Sequence, residues 1–296
     1  MGFQLSNEYL IVDIAAIGDY KGMRFDWSGF ITGVTLRDGD HSFCVPESLI
    51  TGEGTGGQGL CNEFSIREAI GYEHTAIGGQ FPKLGVGLLT RTDEQPYRFY
   101  RDYPLQPFRI EAEMKNRQSL AFTVHPENCS GYAARLEKVI SIAGNRLRIQ
   151  YQLSNTGTNR ICTEEYNHNF LGIDGQPIGP EYELKFPFAI RPWSDDPGTL
   201  DGVRIDGGEV TWAGEPKKPF YFQVDGFQAC SSPWLWELKH RPSGAGVREI
   251  SSFPVSSAAV WGMGHVVSPE IFIRLELAPG ESVTWSREYE FYRELG

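Results

Sequence analysis

The run Leu147-Arg-Ile-Gln-Tyr-Gln-Leu153 decides the fold class. Leu147, Ile149, Tyr151 and Leu153 alternate with Arg148, Gln150 and Gln152. Because successive strand side chains point to opposite faces, this is a strand with one dry face and one wet face. The same period of two recurs in Phe108–Met114, Ser119–His125, Tyr132–Ala143, Tyr182–Phe188, Phe220–Val224 and Glu270–Leu277. Turn residues such as Gly144-Asn145, Asn155-Thr-Gly157 and Pro279-Gly280 bound these runs. The best helical pattern is short, around Asn62–Ala69, inside a loop-rich stretch from Glu47 to Lys83. Many strands with hardly any helix must cover their apolar faces with other strands, so the expectation is an all-β fold of two large antiparallel sheets packed face to face.

The chain has 296 residues, 40% of them hydrophobic, enough to bury a full core. Its 34 glycines and 18 prolines are scattered, and no linker, repeat or low-complexity block interrupts the strand pattern. Residues 1–296 are therefore expected to form one domain. The 27 basic and 38 acidic residues give a formal charge of -11, which repels a phosphate backbone and argues against a nucleic-acid partner. The N-terminus has no basic segment ahead of an apolar stretch, and no apolar run approaches the roughly 20 residues that span a bilayer. Cys44, Cys61, Cys129, Cys162 and Cys230 are odd in number and widely spaced, the pattern of reduced thiols. Together these features lead to the expectation of a soluble, cytoplasmic protein without a membrane partner.

Three constellations offer chemistry. In Thr163-Glu-Glu-Tyr-Asn-His-Asn-Phe170, an extended backbone places Glu164, Tyr166 and His168 on one face and Glu165, Asn167 and Asn169 on the other. A nearby carboxylate favours imidazolium, which would make His168 a general acid near neutral pH. The residues alone leave a second reading equally open, a histidine hydrogen-bonded within a polar strand pair. In Ser268-Pro-Glu-Ile-Phe-Ile-Arg-Leu-Glu-Leu277, Ile271, Ile273, Leu275 and Leu277 form the core row, opposite Glu270, Phe272, Arg274 and Glu276. Glu270 is expected at the beginning of that strand, and an ordinary solvated carboxylate is its simplest reading. The loop-rich stretch offers Glu63, Arg67, His74 and Lys83, groups suited to the hydroxyls or an anionic group of a polar ligand, though each is also a plausible surface charge. Trp193, Trp234, Trp236 and Trp261 are candidate stacking platforms.

Other patterns carry no function. Gly52-Glu-Gly-Thr-Gly-Gly57 matches a nucleotide-loop spacing but lacks a surrounding βαβ unit and a following Lys-Ser or Lys-Thr. The six histidines show no close metal-binding pair and there is no G-x-S-x-G elbow, so neither a metal nor another cofactor is expected.

At this point the chain resembles the aldose 1-epimerase (galactose mutarotase-like) family, particularly its divergent bacterial members. The likeness is carried by Gly131-Tyr-Ala-Ala-Arg-Leu-Glu-Lys-Val-Ile-Ser-Ile142 with the Leu147–Leu153 strand, by Glu165-Tyr-Asn-His-Asn-Phe170, and by Ser268-Pro-Glu270 with Leu277-Ala-Pro-Gly-Glu281. It implies a twisted β-supersandwich that holds a sugar on a concave sheet face, with His168 as the acid and Glu270 as the base. A further family histidine has no clear equivalent: His74 is offset, and the resemblance leaves Lys83 of Phe81-Pro-Lys-Leu-Gly85 as its substitute. Asn169, Arg67 and Glu63 complete the substrate-binding candidates. The reaction so implied interconverts α and β anomers of an aldose or sugar derivative without a cofactor, and predicts a bell-shaped pH profile. Two alternatives remain: a sugar-binding or sensing protein on the same scaffold, and a lyase or hydrolase acting on a glycoside, for which two carboxylates are the usual requirement. A monomer and a homodimer joined through a sheet edge are both open.

Overall fold

The computed structural model describes residues 2–227, 232, 234–251 and 253–294. Cys230 lies outside the described residues. Two ten-stranded antiparallel sheets form the body, and a three-stranded sheet of Gln80–Lys83, Gly87–Thr90 and Leu105–Pro107 flanks them. The first large sheet runs in the order Phe3–Ser6, Leu10–Ile14, Ile31–Leu36, Gly59–Phe64, Ile161–Phe170, Val266–Leu277, Ser257–Met263, Phe220–Asp225 and Arg191–Trp193, with His41–Ser42 attached to Ile31–Leu36. The second is centred on Ala245–Ser251, Ser282–Arg293, Arg146–Asn155 and Ala134–Ala143. This is the all-β sandwich that the alternation predicts.

The quoted run occupies Arg146–Asn155, with Leu147, Ile149, Tyr151 and Leu153 buried and Arg148, Gln150 and Gln152 exposed. Its dry face meets the inner row Ile271, Ile273, Leu275 and Leu277 in one continuous core. Burying a side chain of this size stabilises the fold by about 1.5–3 kcal/mol, so a one-residue slip of this strand would expose four such groups.

Two expectations need correction. The Asn62–Ala69 helix does not form. Gly59–Phe64 is a strand with all six residues buried, and Ser65, with φ of 59°, ends it. A strand covered on both faces loses the alternation that would reveal it. The only helical turn nearby is the short 3-10 segment Tyr72–His74. Glu270, expected at a strand's beginning, is instead inside the strand Val266–Leu277. Pro269 hid this, since proline lacks the N–H that a ladder needs. Here the neighbouring strand adapts: Asn169 donates its side-chain N–H to the Pro269 carbonyl at 2.6 Å, and its backbone N–H to Ser268 Oγ at 2.9 Å.

Candidate active site

The two central strands of the first sheet bring His168 and Glu270 together. Tyr166 stands opposite Phe272 and Leu171 opposite Val267, so equal steps along the two strands put His168 opposite Glu270. Directly opposed residues share a face. His168 Nε2 lies 3.2 Å from Glu270 Oε1, and the two residues are each 3% exposed. Ser268 donates its hydroxyl to the same Glu270 oxygen at 3.2 Å. His168 Nδ1 is buried without a hydrogen-bond partner. The imidazole stacks on Phe170 at 3.9 Å between ring centres, with Phe25 and Trp261 edge-on to it.

Burial sets the charge of this pair. It pushes His168 well below its usual 6.5, and the nearby Arg24 guanidinium pushes the same way. Burial also lifts Glu270 to about 8, against smaller opposing effects of Arg24 and Ser268. The expected imidazolium at rest is thus corrected. Glu164, the carboxylate four residues before His168, turns to Arg67 at the rim and leaves desolvation to dominate. At neutral pH the pair holds one proton, and the dry surroundings favour neutral imidazole beside the carboxylic acid.

The pair opens into a cleft of about 590 Å³. Phe272, Trp261, Ile66 and Tyr221 rise from the strands or the segment beside them, while Phe99 and Tyr100 descend from the facing loop. Glu47 and Thr55 also line the cleft. The Gly52–Gly57 segment is a loop, as expected, whose Thr55 and Gly57 N–H groups bond to Glu47 at 2.6 and 3.1 Å. Apolar walls around a few polar groups are what a small-molecule site requires. A larger hollow of about 800 Å³ beside Phe3, Asp13 and Gln58 is open and has no buried acid–base pair, so the smaller cleft is the candidate site.

The other candidates fall in different places. Arg67 lines the cleft, with Nη1 2.9 Å from both carboxylate oxygens of Glu164 and its guanidinium over Phe272. Glu63 and Lys83 are wholly buried behind it. Lys83 Nζ donates to Glu63 at 3.3 Å, to the Phe64 and Ser65 carbonyls and to the Tyr97 hydroxyl, so it braces the wall without reaching a ligand. Glu63 accepts from Arg24 at 2.8 Å and from the Tyr166 hydroxyl at 2.6 Å. Asn169 faces the second sheet, where its Oδ1 accepts from the Tyr289 hydroxyl, and His74 is exposed outside the cleft. Among the tryptophans, Trp261 lines the cleft and Trp236 is fully buried.

Arg24, Glu47, Thr55, Phe99, Tyr100 and Tyr221 were not singled out by the sequence. They sit on loops or as single outward residues of strands, where no periodic pattern marks them. Arg24 is the most consequential. It binds Glu63, Thr55 and Tyr166, and its charge reaches both His168 and Glu270.

No family model matches the chain, and no curated protein matches it in sequence. Solved structures do match it in shape. A GalM/aldose epimerase homologue from C. elegans is 14% identical with a TM-score of 0.62, covering 99% of each chain. A putative aldose 1-epimerase from Escherichia coli K12 is 12% identical with a TM-score of 0.58 over 99% of each chain. A galactose mutarotase-like protein from Lactobacillus casei is 12% identical with a TM-score of 0.59, over 99% of this chain and 100% of that one. The fold is that of the galactose mutarotase-like proteins. Among the described residues no helix is long and apolar enough to cross a membrane.

Proposed function

We propose that the cleft binds a sugar and that His168 and Glu270 interconvert its α and β anomers. One observation carries the reading: a histidine and a glutamate, opposed on adjacent strands 3.2 Å apart, nearly dry, at the floor of an aromatic cleft. A cyclic sugar presents a hydroxyl and a ring oxygen on the same carbon, and ring opening requires a proton to leave one and reach the other. Glu270 as carboxylate takes the anomeric hydroxyl proton. The bond from the anomeric carbon to the ring oxygen breaks with its electron pair going to that oxygen, which takes a proton from His168 as imidazolium. The open aldehyde rotates, and reclosure reverses both transfers.

The electrostatics of the pair suit this cycle. Imidazolium with carboxylate and imidazole with carboxylic acid are two arrangements of the same single proton, and each serves one half of the reaction. Burial favours the second arrangement and so favours the open-ring stage, while sugar hydroxyls brought to the pair restore polar contacts to the first. Glu47, the other carboxylate of the cleft, is tied to Thr55 and Gly57, which speaks against the two-carboxylate chemistry of glycoside hydrolysis.

The test is the approach to anomeric equilibrium of freshly dissolved α-anomers, followed by NMR against a buffer blank. Wild type should accelerate at least one aldose. His168→Ala and Glu270→Ala should each slow it by about 10²–10⁴-fold. If no sugar equilibrates faster than the blank, the scaffold binds without catalysis; if both variants keep the full rate, the assigned pair is wrong.

A further inference from the structure

Beside the cleft lies a second hollow of about 300 Å³, which shares Tyr221 and Trp261 with it and is lined also by Trp193, Asp195, Asp196 and Gln223. The two hollows share one sheet face. Trp193 stands opposite Gln223, Gln223 opposite Ala259, and Ala259 opposite Glu270. A line of cross-strand neighbours therefore runs from the edge strand Arg191–Trp193 to the acid–base pair, and directly opposed residues share a face. Three strand spacings separate its ends, about 14 Å. That is farther than one pyranose ring reaches from its anomeric carbon.

The chemistry of the hollow fits a sugar ring. Trp193 is 52% exposed and Tyr221 38% exposed, large flat surfaces left partly to water. A pyranose has an apolar face that covers such rings and an edge of hydroxyls that donate to carboxylate and amide oxygens. Asp196 uses one carboxylate oxygen to cap the Pro197–Leu200 turn, accepting from the Gly198 N–H at 2.9 Å. The two aspartates repel an anionic ring and offer oxygens that accept from the hydroxyls of an uncharged one.

We propose that this hollow is a subsite for an uncharged sugar ring linked to the ring held at His168 and Glu270. The substrate is then a short reducing glycan whose reducing-end ring undergoes the anomeric exchange, with the linkage leaving from another carbon of that ring. This rests on the mutarotase reading of the cleft.

The test compares anomer equilibration of glucose with that of maltose, cellobiose, lactose and cellotriose, all with glucose at the reducing end, by NMR exchange spectroscopy. At least one oligosaccharide should exceed glucose in kcat/KM by about tenfold. Trp193→Ala should remove that advantage and Trp193→Phe should keep most of it. The proposal is overturned if no oligosaccharide exceeds glucose, or if the advantage survives Trp193→Ala. If no sugar is accelerated at all, the mutarotase reading fails, and the subsite is judged by binding instead. Saturation-transfer NMR with methyl glucoside, methyl maltoside and methyl cellobioside then decides, because these cannot exchange anomers; a disaccharide glycoside that binds no better than methyl glucoside overturns the subsite as well.

Discussion

From Glu165 to Phe170 the two faces of the strand Ile161–Phe170 are both buried and both carry polar groups, yet they are built differently. Toward the second sheet, Glu165 is held by Arg287 at 2.9 and 3.1 Å, by Trp285 at 3.0 Å and by Asn62. Asn167 accepts from Asn62 and Tyr151 and donates to Tyr289. Arg287 also binds Glu249 at 2.8 Å and the Ile271 carbonyl at 2.7 Å. Every member there has partners. Toward the cleft, His168 has an unpaired nitrogen and Glu270 has one serine and the imidazole. A saturated buried network fixes the strand, while an undersaturated one a few ångströms away keeps valences free for a ligand.

The contrast can be broken most forcefully at Arg287. Arg287→Met leaves Glu165 and Glu249 buried without their cation, and should cost about 3–5 kcal/mol in urea unfolding. A loss below about 1 kcal/mol would show that the inner network is not what holds the strand. Glu270→Gln should behave oppositely: below about pH 4.5, where Glu270 is protonated in both the folded and the unfolded chain, it should change stability by less than about 1 kcal/mol, because an amide has the shape of the neutral acid.

The same variant exposes the cleft pair through the pH dependence of stability. Below about pH 4.5, the ordinary value for a glutamate, both folded and unfolded Glu270 are protonated and burial carries no titration penalty. As pH rises toward about 8, the unfolded chain releases this proton while the folded chain retains it, so wild type should lose stability relative to Glu270→Gln across that window. His168 acts in the other direction. Its folded value lies below 6.5, so stability should fall as pH drops below 6.5 and the unfolded histidine takes up a proton that the folded one refuses. Unfolding curves of wild type, Glu270→Gln and His168→Ala from pH 4 to 8 check both signs.

Much of the architecture was legible because half-buried strands announce themselves by alternation, as Leu147–Leu153 does. The alternation of Glu165, Asn167 and Asn169 against Tyr166 and His168 was equally visible. What it could not tell was which face met the second sheet, since both carry polar groups. Asn169 was accordingly placed among ligand contacts although its side chain joins Tyr289 and Pro269. Gly59–Phe64 was misread because burial on both faces erases periodicity. Lys83 looked like a ligand group because a charged side chain is expected at the surface, and only the three-dimensional convergence of Glu63, Tyr97 and two carbonyls explains its burial. Arg24 and the aromatic residues of the facing loop depend on loop conformation, which has no period at all.

The claim that one proton shared by His168 and Glu270 drives anomer exchange is tested most directly by the pH profile of kcat/KM. The bell shape expected from the sequence should survive with its limbs moved apart by burial. The rate should be level near neutrality, fall above about pH 8 as Glu270 loses the shared proton, and fall on the acid side only well below 6.5. Glu270→Gln should run near the buffer rate at every pH. A wild-type profile that breaks near 6.5 and not near 8, or a Glu270→Gln variant that keeps the wild-type rate, would contradict the account.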